Sequence, residues 1–311
     1  MTEVLFAAAL ALLGVPLLLS RSGRRIGAAE RTRLMAVSLG AGVVFLELSL
    51  ALTALPTVLR VFHLSGLASV CERLVGPVFG GGQIVGGVAL VLALLLPASA
   101  IMTSLKCRTR QERLRADPWV GTHRPYGKHE LVVLPSAAMV AISVPGRPGQ
   151  VILSQGLLDA LTPAELDAVI RHEGAHLDFR HSRYLLLAAV VQCTVGWFPM
   201  VRRCVCCLRL SVEEWADAIA VRDLGTSRPV VDALRSFVFA SLSPRVASFS
   251  AAETIGERLE ALEHGEPRKA PLARLMAYSL VVLLSLGAGG SLVTWAAHAR
   301  ELAAMTPYCP L

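Results

Sequence analysis

Charged residues are scarce in this sequence, where only 17% of residues are Asp, Glu, Lys or Arg and 54% are hydrophobic. Ordinary soluble domains carry roughly 25% charged residues, so this composition excludes a chain that is soluble throughout. The apolar residues are concentrated in five segments, several of which approach or exceed the length needed to cross about 30 Å of hydrocarbon. These segments cover residues 4–20, 34–59, 82–105, 183–198 and 272–296.

No basic residue precedes the first apolar segment, so this segment does not have the pattern of a cleaved signal peptide. Lys and Arg cluster instead at 21–33, at 106–115 and at 268–274, and only Arg60 and Arg73 lie between the second and third segments. Because Lys and Arg favour the cytoplasmic side, we expect a multi-pass protein of a bacterial cell membrane. Its N-terminus and C-terminal tail would lie outside and the region between Lys106 and Arg274 inside. The net charge of +7 then faces anionic lipid and indicates no direct nucleic-acid partner.

The run His172-Glu173-Gly174-Ala175-His176 has the form H-E-x-x-H. On a helix, residues four apart share a face, so both imidazoles can bind one Zn²⁺. Glu173 then stands beside them, placed to take a proton from a metal-bound water. Thr162-Pro163-Ala164-Glu165 predicts the start of that helix, because it combines a capping box with proline at the first helical position. A surface helix with two chance histidines is the alternative.

A third ligand is expected downstream, where Glu213 and Glu214 are both candidates. Ser211 and Glu214 can be read as a capping box, which gives Glu214 a helix-start role and leaves Glu213 for the metal. Asp217 follows Glu213 by four residues and can accept a hydrogen bond from the outer N–H of His172. Two His and one Glu leave one zinc position open for water, as catalytic zinc sites do.

Other metal-binding patterns are missing. A metzincin needs Gly and His at the positions that Phe179 and Ser182 occupy here, and His181 is one residue out of register, so we interpret His181 as structural. The seven cysteines lack paired C-x-x-C spacing, so a cysteine zinc site is not expected. A run of three cysteines is interpreted as thiols at the membrane edge, with a redox or modification site as the alternative. The run consists of Cys204, Cys206 and Cys207.

The apolar segment 183–198 must turn back, because the third ligand has to return to the side that holds the two histidines. A helix over this segment would be about 24 Å long, which is short of a membrane span. Pro199 follows directly, and Trp197 and Phe198 suit the membrane interface. We therefore predict a helix that dips into or lies on the inner leaflet and reverses at 197–199, close to the active site.

Alternation and β-branched residues predict short strands at 130–134, 139–144 and 150–154, with a turn at 145–149 between the last two. They form a small antiparallel sheet ahead of the H-E-x-x-H helix. Segment 138–144 is a candidate for pairing with the substrate as an added strand, and an ordinary core strand is an equal alternative. Helices are predicted over 212–222, 229–241 and 251–263.

These motifs resemble the membrane zinc peptidases of the BlaR/MecR type, which are gluzincin-like, over roughly residues 106–262. The wider clan includes the CAAX prenyl proteases and the bacterial heat-shock membrane protease. Besides H-E-x-x-H, three segments carry the resemblance: Leu153-Ser154-x-Gly156-Leu157-Leu158, Trp197-Phe198-Pro199 and Glu213-x-x-Ala216-Asp217. The resemblance implies zinc as cofactor, Glu173 as general base and Asp217 as the partner of a ligand. The implied ligands are His172, His176 and Glu213.

Arg258 is a candidate transition-state stabiliser, because Glu257-Arg258-Leu259-x-x-Leu262 is similar to an E-R-x-x-x-L element of the wider clan whose Arg lies near the site. The chain departs from the resemblance in two ways. Ser250-Ala251-Ala252 stands where the wider clan often has a His-Pro pair. No penicillin-binding sensor domain follows the last apolar segment, so direct β-lactam sensing is not expected.

The sequence therefore predicts a mostly α membrane protein with about four transmembrane helices and a cytoplasmic α+β zincin-like peptidase domain. Residues 1–105 would form three transmembrane helices, 106–271 the peptidase domain with a membrane-associated helix at 183–199, and 272–311 the last transmembrane helix and a short outer tail. The expected activity is zinc-dependent endoproteolysis at the cytoplasmic face.

The resemblance suggests a BlaI/MecI-like transcriptional repressor as the protein substrate, and a sensor subunit or a second copy of the chain as a partner. Membrane-protein quality control is the alternative proteolytic role. A non-catalytic zinc-binding membrane scaffold is an alternative of a different class, and Glu173 argues against it because scaffolding does not need that residue.

Overall fold

Residues 2–21, 26–75, 82–115, 121–241, 249–264 and 271–305 are described by the structure, which is a computed structural model. Four helices come first: α1 (Thr2–Arg21), α2 (Ala28–Val61), α3 (Ser65–Val75) and α4 (Gly82–Leu114). Within the described residues, three helices are long and apolar enough to cross a membrane, and they coincide with the three predicted N-terminal spans. These are Thr2–Ser20, Ala28–Val61 and Gln83–Leu114.

Helices α1 and α2 form an antiparallel hairpin with a close contact at Gly42. A Cβ at Gly42 would lie 2.8 Å from Leu13 Cγ and 3.1 Å from the carbonyl oxygen of Ala9. Small residues of this kind let apolar helices approach closely, which is how helices associate in lipid. Near the other end of the hairpin, the Ser49 hydroxyl donates to the carbonyl of Thr2 at 3.1 Å.

The sheet has four strands in the order β1-β2-β4-β3, and it is mixed rather than antiparallel throughout. The pair β3–β4 is antiparallel as expected and the unpredicted strand β1 pairs with β2 in the same way, whereas β2 and β4 are parallel. The hairpin of β3 and β4 inserts β4 beside β2, which alternation within each strand cannot reveal. The strands are β1 (Thr122–Tyr126), β2 (His129–Leu134), β3 (Ala141–Val144) and β4 (Gln150–Ser154).

Four helices follow the sheet: α5 (Gln155–Ala160), α6 (Pro163–Asp178), α7 (Ser182–Val195) and α8 (Pro199–Leu224). The start of α6 is the predicted capping box, in which Thr162 Oγ1 accepts from the Glu165 amide and the Glu165 carboxylate accepts from the Thr162 amide. The short apolar helix α7 packs against α2, α4 and α8. The chain then reverses at the predicted place, where 74% of the Trp197 surface is exposed.

The capping box predicted at Ser211 and Glu214 is wrong. Helix α8 begins at Pro199 and runs without a break to Leu224, so Ser211 lies in its middle. Val205 and Leu208 are buried in the core shared with α1, α2 and α7, and this burial holds the first half of the helix. The two side chains of the S-x-x-E pattern, Ser211 and Glu214, bond to residues of α2 and not to the backbone of α8.

The last described helices are α9 (Arg228–Ser241), α10 (Phe249–His264) and α11 (Pro271–Met305). Leu259 and Leu262 of α10 pack against a small cluster that contains Ala220 of α8 and Leu234 of α9. The fourth predicted span falls within α11, where Ala277–Gly287 is an apolar stretch. Among the described cysteines Cys204 is buried and Cys206 is exposed, and both thiols are free.

Candidate active site

Helix α6 brings His172 and His176 together on one face, four residues apart. Their Nε2 atoms are 3.2 Å from each other. This separation is close to the distance between two nitrogen ligands of one tetrahedral zinc ion. The i, i+4 spacing has therefore produced the paired imidazoles that the sequence predicts.

Glu213 of α8 completes the cluster. Its carboxylate oxygens lie 3.4 Å from Nε2 of His172 and 3.7 Å from Nε2 of His176. Among the described residues, these three form the one group whose ligand atoms all lie within 4.8 Å of one another. A tetrahedral Zn²⁺ with nitrogen and oxygen ligands at about 2.0–2.1 Å would hold any two of them about 3.4 Å apart. The three donors therefore fit a zinc ion in both chemistry and spacing.

Asp217 and Arg258 support this cluster from behind. Asp217 Oδ1 lies 2.9 Å from Nδ1 of His172. The Arg258 guanidinium donates to both Asp217 oxygens, at 2.7 and 2.8 Å, and its third nitrogen lies 3.4 Å from Glu213. A carboxylate held in this way fixes the orientation of the imidazole ring and leaves its Nε2 free for a metal.

His181 contacts the second histidine in a comparable way. Its Nδ1 lies 3.1 Å from Nδ1 of His176, and its side chain is fully buried. The ring also packs against Trp215, with the ring centres 4.6 Å apart. We interpreted His181 as structural from sequence, and the contact with His176 was missed. The turn that ends α6 brings His181 back onto His176, and no sequence motif marks this turn.

Burial disfavours the charged form of each titratable group in this cluster, and the neighbouring groups determine whether its pKa is finally raised or lowered. Burial disfavours protonation of His172, but hydrogen bonds with Asp217 and Glu213 outweigh it and raise its pKa to about 10. Burial and the adjacent His172 lower the pKa of His176 to about 4. Burial would raise the pKa of Glu213, yet its bond to His172 lowers that pKa to about 2. The opposite shifts of His172 and Glu213 thus have one cause, which is the attraction between the imidazole and the adjacent carboxylate.

Glu173 follows His172 on α6, and its carboxylate is hydrogen-bonded to the side chain of Ser143 on β3. This contact places Glu173 beside the strand at which a peptide could lie. Burial raises the pKa of Glu173 above its usual value. Ser143 was not singled out from sequence, because one serine in a short strand carries no distinguishing pattern.

Glu214, the other candidate for the third ligand, faces away from the cluster. Its carboxylate pairs with the guanidinium of Arg31 at the start of α2. The structure thus gathers all six residues that the sequence selected for the site and separates the rejected candidate from them. The six are His172, Glu173, His176, Glu213, Asp217 and Arg258.

Comparison with known proteins agrees with this geometry. A family model described as Peptidase family M48 matches residues 122–204, which include the sheet, α6 and the H-E-x-x-H motif. The match supports a metallopeptidase domain over this segment, and it ends before Glu213. No match was found among curated proteins or solved structures.

Proposed function

We propose that this protein is a membrane-embedded zinc metalloendopeptidase that hydrolyses peptide bonds of a protein substrate. The observation that carries the proposal is the arrangement of His172, His176 and Glu213 at the spacing of zinc ligands. Glu173 lies beside them, where a general base is needed. The apolar helices α1, α2 and α4 and the M48 match over residues 122–204 support the membrane and peptidase parts.

The chemistry divides between the cofactor and the chain. Zn²⁺ bound by the three ligands would supply Lewis-acid activation of the scissile carbonyl and lower the pKa of water toward about 7. Glu173 takes the proton from the attacking water and gives it to the leaving amine nitrogen. Asp217 accepts the Nδ1–H of His172 and so keeps the Nε2 lone pair directed at the metal.

Arg258 has contacts that favour a positioning role. Two of its nitrogens donate to Asp217 and the third lies 3.4 Å from Glu213. A guanidinium that is engaged in this way orients both carboxylates. Its role as transition-state stabiliser stays a prediction, and it would require the guanidinium to face the substrate as well.

The finer parts of the proposal rest on the charge pattern and the resemblance. The basic clusters at 21–33 and 106–115 favour a catalytic domain on the cytoplasmic side. The likeness to BlaR/MecR-type peptidases favours regulatory cleavage of a transcriptional repressor, which makes a BlaI/MecI-like protein the first candidate substrate.

The activity is tested with the purified full-length chain in detergent, by cleavage of an unfolded protein and by zinc content. We expect Glu173→Gln to lose activity by at least about a thousandfold while it binds zinc as the wild type does. Asp167→Asn is the matched control, because Asp167 lies on the same helix and pairs with Arg171 on its outer face. Cleavage by Glu173→Gln at the wild-type rate would falsify the mechanism.

The substrate is tested in cells that express either the wild type or Glu173→Gln. Protein fragments that depend on Glu173 are then identified by mass spectrometry. One DNA-binding protein cut at one site supports regulatory cleavage. Many fragments of membrane proteins would instead support the quality-control role.

A further inference from the structure

Within the described part of the chain, strand β3 leaves one edge of the sheet unpaired beside the candidate active site. In the strand order β1-β2-β4-β3 it is the outer strand, and its paired side faces β4. The Ser154 amide donates to the carbonyl of Val140, and this bond determines which alternate residues of β3 direct their backbone groups at β4. Ile142 and Val144 therefore bond to β4, and the backbone groups of Ala141 and Ser143 point to the open edge. An extended peptide can pair there.

Beyond Val144, this open edge leads into a cleft of about 1030 Å³. The C-terminal end of α4, the loop 145–149 and the junction of α6 and α7 form its walls. Ser143 and the candidate ligand His176 are among its lining residues, so the cleft borders the zinc-ligand cluster. A chain paired with β3 across the active site would continue into the cleft on one side of the scissile bond.

The walls of the cleft carry a concentration of positive charge. Four exposed arginines line it, each from a different element, and within the described chain none of them forms an ion pair. They are Arg110 of α4, Arg147 of the loop, Arg180 of the α6–α7 turn and Arg183 of α7. Among the lining residues that the structure describes, the one carboxylate is that of Asp178, which pairs with Lys128 and lies 2.8 Å from His129. The four charges are therefore available to a ligand.

Arg180 occupies a backbone position at which an arginine is unfavourable. Its φ is +54°, in the left-handed region. It follows the end of α6, where its amide donates to Leu177 and the next amide donates to His176. This pattern of helix termination usually uses glycine, since a side chain there costs about 1 kcal/mol. The chain thus accepts an unfavourable conformation that places a guanidinium at the cleft.

We propose that this cleft binds acidic side chains of the substrate, on the Val144 side of the scissile bond. The identity of the ligand as substrate rests on the proposed peptidase function. A protein segment fits better than a lipid headgroup, because the cleft opens from a strand edge whose alternating N–H and C=O groups match those of an extended polypeptide. The protein would accordingly prefer substrates with Asp or Glu clustered on one side of the cut.

The test measures binding separately from cleavage. Two fluorescein-labelled dodecapeptides carry four glutamates in either the N-terminal or the C-terminal half, and matched peptides carry glutamines instead. Fluorescence anisotropy is recorded on the full-length Glu173→Gln protein, loaded with zinc and held in phosphatidylcholine nanodiscs. We expect one of the glutamate peptides to bind at least about tenfold more tightly than its glutamine counterpart, and the preference to shrink in 0.5 M salt.

The arginines are then replaced one at a time in that protein. Arg147→Gln and Arg183→Gln should each lower the preference about threefold, as expected for partly exposed charge pairs. Arg180→Gly should do the same without loss of thermal stability, because glycine suits the φ of that turn. Arg228→Gln is the matched control, since Arg228 is exposed on α9 and lies outside the cleft.

The outcomes separate this proposal from the proposed function. Equal binding of all peptides, or a preference that the cleft variants leave unchanged, overturns the acidic cleft even if the wild type is an active peptidase. An arginine-dependent preference in a protein that cleaves nothing sustains the cleft and rejects the peptidase. If the cleft variants instead lose only co-purified phosphatidylglycerol, measured by mass spectrometry, the arginines serve lipid and the proposal fails.

Discussion

The two sides of helix α8 place adjacent residues of the chain in different surroundings. One side places Glu213 and Asp217 against α6 and α10, where they form the buried candidate metal site. The other side places Ser211 and Glu214 against the start of α2. Because successive residues of a helix point about 100° apart, the adjacent glutamates enter separate environments. Position around the helix, and not residue type, distinguishes a ligand from a structural ion pair.

On the side that faces α2, helix α8 is held by an ion pair and hydrogen bonds. Arg31 pairs with Glu214 and also donates to the Ser211 hydroxyl at 3.2 Å. The Thr32 and Ser211 hydroxyls are 2.8 Å apart, and the Trp215 ring lies 5.1 Å from the guanidinium carbon of Arg33. These contacts join α2 to α8, the helix that carries the candidate ligand Glu213, without involving Glu213 itself.

The largest expected effect comes from substituting each of the two glutamates in turn. Glu213→Gln should lower zinc affinity more than about 100-fold and remove activity, because it replaces an ionised ligand with a neutral amide. Glu214→Gln should keep bound zinc and activity within about threefold. Zinc titration with a competing chelator measures the first effect, and a peptidase assay the second. Equal losses of zinc affinity and activity in the two variants would show that the two sides of α8 do not have separate functions.

Asp217→Asn tests how far the metal side depends on groups that do not touch the metal. The variant removes the charge that faces both His172 and Arg258, so we expect zinc affinity to fall about 10–100-fold. Activity should partly return with excess zinc, since the ligands remain. Failure of zinc to restore any activity would place Asp217 in the chemistry rather than in ligand positioning.

The Arg31–Glu214 pair should affect stability and not catalysis. Its side chains are 11% and 17% exposed, so we expect a coupling of about 1 kcal/mol in a double-mutant cycle of Arg31→Gln and Glu214→Gln. Thermal unfolding of the four proteins gives the coupling, and kcat/KM of each should stay within about threefold. A large change in kcat/KM with unchanged stability would contradict this division.

The smallest expected effect lies at the start of α6, before the ligands. The hydrogen bond from Thr162 lowers the pKa of Glu165 below its usual value of 4.5. A carboxyl group whose pKa is lowered in the folded state stabilises the protein above pH 4.5. This stabilisation is lost as the pH falls through the lowered pKa. Thr162→Ala should therefore cost about 1 kcal/mol at pH 7, and less near pH 3.5. Thr162→Ser, which keeps the hydroxyl, should show neither change in thermal unfolding.

The sequence was sufficient wherever a local pattern determined the structure. Strand β4 has the predicted bounds, α6 has the predicted capping box, and the chain reverses at Trp197-Phe198-Pro199 as expected. Helical spacing places His172 with His176 on α6 and Glu213 with Asp217 on α8, and the packing of α6 and α10 against α8 then brings these pairs and Arg258 together. Glu213 was preferred to Glu214 for a wrong reason, since no helix begins at Ser211.

The features that were missed depend on contacts between distant segments. The parallel pairing of β2 with β4 depends on which strands lie side by side, and the alternation of polar and apolar residues within a strand does not indicate this. Strand β1 was overlooked because it is an exposed edge strand that contains Pro125, and proline is tolerated at such edges. The contact of His181 with His176 and the bond of Glu173 to Ser143 need the folded backbone before they can be seen.

The hairpin of α7 and α8 couples the candidate site to the packing of the N-terminal helices. His176 lies just before this hairpin and Glu213 lies on its second helix. Helix α8 contacts α6 on one side and α1 and α2 on the other, and α7 contacts α2 and α4. A change in how the N-terminal helices pack would therefore alter the separation between the third ligand and the two histidines, although none of those helices carries a ligand.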